Sequence, residues 1–154
     1  LLLDEEGTRL DPVATHGGAA RAALLFHRDP WDPATAVVLA SDLTDLDRDL
    51  AGLARFVGEP RPALRIVYLR HADDPPPAAD PIARAAASGW IGATFADCVG
   101  DDWPDTIDEI VADVSADLVA MTVQPHGRVY RLFHRDLVHT IAFQGLVPLL
   151  GLRA

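Results

Sequence analysis

Lysine is absent from this chain of 154 residues, and cysteine and methionine each occur once. All 13 basic residues are arginine, set against 23 acidic residues, mostly aspartate, for a formal charge of −10. Such a surface repels phosphate backbones and anionic lipid, so nucleic acid and direct membrane insertion are not expected as partners. The lone Cys98 excludes an internal disulfide. It favours a reducing, cytoplasmic setting and a buried, inert thiol. No long apolar run is present: Leu1-Leu2-Leu3 meets Asp4-Glu5-Glu6 at once, too short for a signal or membrane segment. The first residue is not methionine, and the expectation from this is a processed product or a fragment of something longer, such as the soluble regulatory domain of a transporter-type protein.

What is present begins with a repeated pentapeptide, LFHRD, at Leu25–Asp29 and again at Leu132–Asp136. Protein kinases carry His-Arg-Asp in the catalytic loop, with a metal-holding Asn five residues after the Asp. Here those positions are Ala34 and Ile141, and without lysine there is no nucleotide-pairing lysine strand. The kinase reading fails.

The remaining 49% hydrophobic content suits one compact domain. From Thr35 the pattern alternates. Ala36–Ala40 is a continuous apolar run, as in a buried parallel strand. Leu43, Leu46, Leu50, Leu53, Ala54 and Val57 follow at helical spacing, and Gly58 and Pro60 stop the helix. Leu64–Leu69 reads as a second strand, followed by a proline-packed loop from Ala72 to Pro81 and a short helix over Ile82–Ser88. Ala93–Val99 is a weaker third strand because Asp97 interrupts it. Asp101-Asp102-Trp103-Pro104 opens a helix whose stripe is Ile107, Ile110, Val111 and Val114. Asp117–Val123 is the fourth strand, Leu132–Phe143 a fourth helix, and Leu146–Leu152 the fifth strand.

Strands alternating with helices imply right-handed crossovers, and therefore an α/β fold with one five-stranded parallel sheet and helices on both faces. Ligands of such sheets sit at the carboxyl ends of the strands where strand order reverses, so Asp42 and the loop Gln124–Arg131 are the first places to look. Residues 1–34 stand outside the alternation as an N-terminal extension or linker, with a short helix over Ala19–Phe26, and residues 35–154 form the domain. His16-Gly17 and the first LFHRD echo His126-Gly127 and the second, as the remnant of a truncated repeat would; biased composition produces such matches equally well.

Catalytic constellations do not assemble. Ser41 lacks the glycines of a nucleophile elbow, and Asp42 has no recognisable acid–base partner, so capping or ligand orientation suits it better. His134 and His139, five apart, do not share a helical face and make no metal pair with His126. Trp31, Trp90 and Trp103 read as packing residues. The expectation is a protein that is not an enzyme and holds no metal.

The residues from the fourth strand onward resemble the universal stress protein (UspA-like) family. Ala116–Met121, His126-Gly127-Arg128, Leu132-Phe133 and Val147-Pro148-Leu149-Leu150-Gly151-Leu152-Arg153 are similar to that family's ADLIVMG, HGR and VPVLVVR segments, and Val37–Asp42 to its ILVAVD. The resemblance covers about Thr35 to Arg153. It implies a Rossmann-like sheet of order 3-2-1-4-5 and a homodimer through strand five, as an edge strand, alongside a role in stress response that includes a protein partner. It also implies ATP or AMP as ligand in those members with a G-x-x-G, nine residues, then G-[S/T] loop. If a nucleotide binds here, Asp42 would lie near the ribose or adenine, Leu69 near the base, Gly127 would be the second glycine, and Arg128 a nearby contact. The loop departs from the family pattern, with Gln124 at the first glycine and Arg135-Asp136 in place of Gly-Ser. A β-carbon blocks backbone approach and a carboxylate repels phosphate. The resulting expectation is a regulatory or partner-binding domain that does not bind ATP in the family manner, the alternative being a nucleotide-binding stress protein with a variant phosphate loop.

Overall fold

A computed structural model describes residues 2–3, 23–26, 34–78, 80–100, 103–123 and 147–153. Seven strands and three helices occur among them in the order β1 (Leu2–Leu3), β2 (Ala23–Phe26), β3 (Ala36–Ala40), α1 (Leu46–Val57), β4 (Ala63–Arg70), α2 (Pro81–Ala87), β5 (Thr94–Val99), α3 (Trp103–Asp113), β6 (Leu118–Val123) and β7 (Leu149–Arg153). The fourth helix expected at Leu132–Phe143 lies outside the described residues, as do Gln124, His126, Gly127, Arg128, Arg135 and Asp136.

The five strands of the alternating region are parallel neighbours in the order β5-β4-β3-β6-β7, which is 3-2-1-4-5 counted from β3. β3 is central, and its five residues explain why: Val37 and Leu39 face one layer, Val38 and Ala40 the other, and all four are at most 1% exposed. A strand buried on both faces needs no polar alternation.

The two layers differ in composition. On one face Leu46, Leu50 and Leu53 of α1 pack with Val37, Leu39, Leu64, Ile66, Leu118 and Leu150, and Ala85 of α2 joins them. On the other, Trp103 and Ile107 of α3 cover Val38, Ala40, Val67, Leu69, Val119 and Met121. Removing a leucine from either layer leaves a cavity, at about 2–5 kcal/mol for Leu→Ala.

Local chemistry sets the helix ends. The Asp80 carboxylate accepts from the amides of Ile82 and Ala83 at 3.0 and 3.2 Å, and Pro81 occupies the first turn, so α2 starts there. Gly58, at φ 71°, ends α1 in a conformation a β-carbon disfavours. Leu43, placed by its spacing in the α1 stripe, instead precedes the helix in a left-handed turn at φ 64°.

Asp97, which weakens the third strand in sequence, is explained by its neighbour. Arg70 on β4 donates to both carboxylate oxygens at 2.7 and 2.9 Å, a bidentate cross-strand pair. That bond holds the Asp97 carboxyl below the ordinary carboxylate range, against the opposing effect of partial burial. Next to it Cys98 is a free, half-buried thiol pushed up by burial and by the Asp97 charge, which keeps it protonated. Trp90 and Trp103 are buried at 2% and 4% exposure, as packing residues.

The N-terminal stretch departs from expectation. Ala23–Phe26, read as part of a helix, is a strand antiparallel to β7, and β1 pairs outside it. A run of four apolar residues fits either element, and pairing with β7 decides it. The outer edge of strand five, expected to be open for a second copy, is therefore occupied by the chain itself.

Candidate functional site

At the carboxyl end of β3 the chain turns through Ser41, Asp42, Leu43 and Thr44 before α1. The Ser41 hydroxyl donates to Asp49 Oδ2 at 3.1 Å and accepts from the Leu43 amide at 3.1 Å. Both Ser41 and Asp49 are buried, at 3% and 4% exposure. The Ser41 amide is bonded to the Val67 carbonyl at 3.0 Å, which ties the turn to β4. This serine is a structural pin: its proton and one lone pair are both engaged.

Asp42 Oδ1 accepts from the Thr44 amide at 3.0 Å, a local turn of the kind aspartate favours. Leu43 then sits at φ 64°, which costs a non-glycine residue about 1–2 kcal/mol. Its carbonyl accepts from Arg84 Nη1 on α2 at 3.0 Å, and Arg84 Nε donates to Asp47 Oδ1 at 3.1 Å. The strained turn is thus held from two sides, by Ser41–Asp49 beneath and by Arg84 beside it. Strain that persists because its surroundings fix it is characteristic of ligand sites.

The facing wall comes from β4 and the loop after it. Tyr68 Oη donates to the Pro75 carbonyl at 3.4 Å, Arg70 Nη1 to the Asp74 carbonyl at 3.0 Å, and the His71 amide to Asp74 Oδ2 at 3.0 Å. These contacts fasten the Pro75-Pro76-Pro77 run. Between the walls lies an open cleft of about 250 Å³, lined by Asp42, Leu43, Thr44, Tyr68, the three prolines and Ala78. Its lining is largely apolar, with Asp42, Thr44 and Tyr68 as its polar residues, the composition of a small-molecule cleft.

Of the residues singled out in sequence, Asp42 lines this cleft. Leu69 does not: it is 8% exposed and packs with Trp103 on the opposite face of the sheet. Its neighbour Tyr68 faces the cleft instead, because side chains alternate along a strand. Gly127 and Arg128 lie outside the described residues. Leu43, Tyr68 and Arg84 escape a sequence reading, although a proline run four residues beyond a strand that ends in Tyr-Leu-Arg marks a stiff wall. Among the described residues no group of three or more His, Cys, Asp or Glu side chains could hold a metal ion, and no helix is long and apolar enough to cross a membrane.

At the other end of the same strands a second aspartate has a different environment. Asp117, just before β6, accepts from the Thr35 and Ala36 amides and the Thr35 hydroxyl at 2.7–3.0 Å. Burial works against its charge, but these bonds outweigh burial and hold the carboxyl below its ordinary range.

The sequence matches no family model and no curated protein. Among solved structures the chain is similar to a universal stress protein in complex with cAMP, with 20% identity, a TM-score of 0.55, and coverage of 79% of this chain and 98% of that one. The sheet of order 3-2-1-4-5 with its covering helices is therefore a fold shared with universal stress proteins.

Proposed function

We propose that the chain is a non-enzymatic regulatory domain that takes a small ring-bearing ligand of nucleobase or nucleoside type in the Asp42–Tyr68 cleft, and that it does not hold ATP through a glycine-rich phosphate loop. The observation that carries this is the cleft itself: two fastened walls at the carboxyl ends of adjacent parallel strands, beside the point where strand order reverses. A planar ring fits between the prolines and Tyr68, and Asp42 can accept from a ring amino group or a sugar hydroxyl. A polyphosphate is disfavoured, because the formal charge is −10 and Asp42 is a carboxylate at the cleft. A universal stress protein of the same fold binds cAMP, which makes purine nucleosides and their monophosphates the first ligands to try. The Ser41–Asp49 arrangement supports the reading by holding the turn that presents Asp42 to the cleft in place.

Titration calorimetry with adenosine, AMP, cAMP, ADP and ATP tests the reading. Adenosine and cAMP bind in the micromolar to submillimolar range, about −5 to −8 kcal/mol, with ATP no tighter than adenosine. In Asp42→Ala the affinity drops about tenfold, or 1.4 kcal/mol. Silence from every ligand removes the nucleoside proposal, and an ATP affinity about a hundredfold above that of adenosine removes the claim about the phosphate loop.

A further inference from the structure

Three consecutive prolines form one wall of the cleft, and proline has no amide to donate. Such a run can only accept, so its place depends on donors that reach its carbonyls from elsewhere. β4 supplies two of them, Tyr68 and Arg70, which alternate onto one face of the strand. Tyr68 Oη lies 3.4 Å from the Pro75 carbonyl, long for a hydroxyl donor, whereas Arg70 Nη1 lies 3.0 Å from the carbonyl of Asp74, the residue before the run. Arg70 is therefore the firmer hold. A long flexible side chain must itself be aimed, and the aiming group is on β5. Arg70 Nε and Nη2 donate to the two carboxylate oxygens of Asp97, which stands opposite Tyr68 in the ladder and so projects from the same face. A fork that engages one edge of a guanidinium fixes its plane, and the remaining nitrogen, Nη1, then points where that plane directs it. The side chains of Arg70 and Asp97 are 15% and 29% exposed, so salt screens the pair only in part.

We propose that Asp97, which does not line the cleft, is a positioning residue for it: by holding Arg70 in the fork it aims the third donor at Asp74 and so sets the place of the Pro75-Pro76-Pro77 wall. The turn before the prolines carries that placement onward. The His71 amide donates to Asp74 Oδ2 and the Asp74 amide to the His71 carbonyl, each at 3.0 Å, so residues 71–74 move as a body and a shift at Asp74 reaches the prolines. Beyond the prolines the chain enters α2, where Arg84 holds the Leu43 carbonyl of the facing wall. Two arginines thus fix the width of the cleft, and Asp97 directs one of them. With the fork broken, Nη1 loses its direction, and a ligand has to order the wall as it binds, at a cost in affinity. The effect on affinity rests on the nucleoside reading of the cleft; the place of the wall does not.

The test compares the full chain as wild type, Asp97→Asn and Arg70→Lys. Asparagine keeps the shape of aspartate but offers one acceptor oxygen where the fork needs two. Lysine keeps the charge opposite Asp97 and loses the planar fork. Hydrogen exchange read by mass spectrometry over residues 71–78, with residues 36–40 as reference, reports on the wall, and calorimetry with adenosine and cAMP reports on the cleft. In both variants exchange over 71–78 rises about three- to tenfold while β3 keeps its rate, and ligand affinity falls by a similar factor. A residue that only stabilises the sheet gives other patterns: Arg70→Lys behaves as wild type because the charge is kept, or exchange rises in β3 along with the wall. Either result overturns the proposal. So does unchanged exchange over 71–78 in both variants, and so does faster exchange with wild-type affinity for a ligand that binds. If circular dichroism shows that Asp97→Asn does not fold, Arg70→Lys gives the same two readouts alone. A wild type silent to both ligands removes the nucleoside reading, and faster exchange confined to 71–78 in the variants then still supports the role of Asp97.

Discussion

Asp42 and Asp117 are the same residue type at opposite ends of neighbouring central strands, and the fold uses them in opposite ways. Asp117, at the amino end, is enclosed by the Thr35 and Ala36 donors and joins the start of β3 to the start of β6. Asp42, at the carboxyl end, makes one local bond to Thr44 and lines a cleft. Beside Asp117 the backbone of β3 is ordinary strand; beside Asp42 it passes into a left-handed leucine. A carboxylate saturated by donors contributes stability, whereas one with remaining acceptor capacity at a strained turn is positioned for recognition.

The sharpest way to break this contrast is at the amino end. Asp117→Ala leaves the Thr35 and Ala36 amides without their acceptor, and the expected loss is about 2–3 kcal/mol in urea unfolding, with ligand affinity unchanged. The pH dependence follows from the depressed pKa of Asp117. A carboxylate whose folded pKa lies below its unfolded value of about 3.9 contributes stability above that value, which is lost as pH falls through the folded pKa. Acid unfolding of wild type therefore steepens below about pH 4, and Asp117→Asn flattens that slope; Asp97, lowered by Arg70, supplies the slope that remains. Of intermediate size is Leu43→Gly. It relieves a left-handed side chain worth about 1–2 kcal/mol. It also removes a leucine that is 9% exposed, and that burial is worth about 1.5–3 kcal/mol. Burial wins, so the variant is less stable by about 1 kcal/mol and its cleft is wider. Smallest in stability is Asp42→Ala, within about 0.5 kcal/mol of wild type in the same unfolding experiment. Equal stability losses at Asp42 and Asp117 would erase the distinction.

The sheet was legible because its signal is long and redundant. Ala36–Ala40 is an unbroken apolar run, and the structure gives β3 those same bounds. Asp97 weakened the third strand because its partner Arg70 is 27 residues away, and a bidentate pair across a ladder has no local signature. The site was harder to read. Leu43 sits at a spacing that continues the Leu46-Leu50-Leu53 stripe, and nothing in the letters reports a positive φ. Leu69 and Tyr68 differ by one position, and with a period of two that single step moves a side chain from the cleft face to the α3 face. Ala23–Phe26 could not be placed in advance because its conformation is decided by β7, which lies more than 120 residues further along.

Arg70 and Asp97 also bear on how the molecule behaves in crowded solution. β5 is a terminal strand of the sheet, with no neighbour beyond it among the described residues, and it carries Val99 at 52% exposure. Such a margin invites further strands from other molecules, the first step toward insoluble β-rich aggregates. An ion pair laid across β4 and β5 discourages that, because an incoming strand would have to dehydrate charge in order to seat. The two margins of this sheet thus differ: the outermost described strand on one side, β1, is only two residues long, while β5 on the other carries charge. Neutralising Asp97 would be felt first as a lower ceiling on concentration, well before any loss of fold.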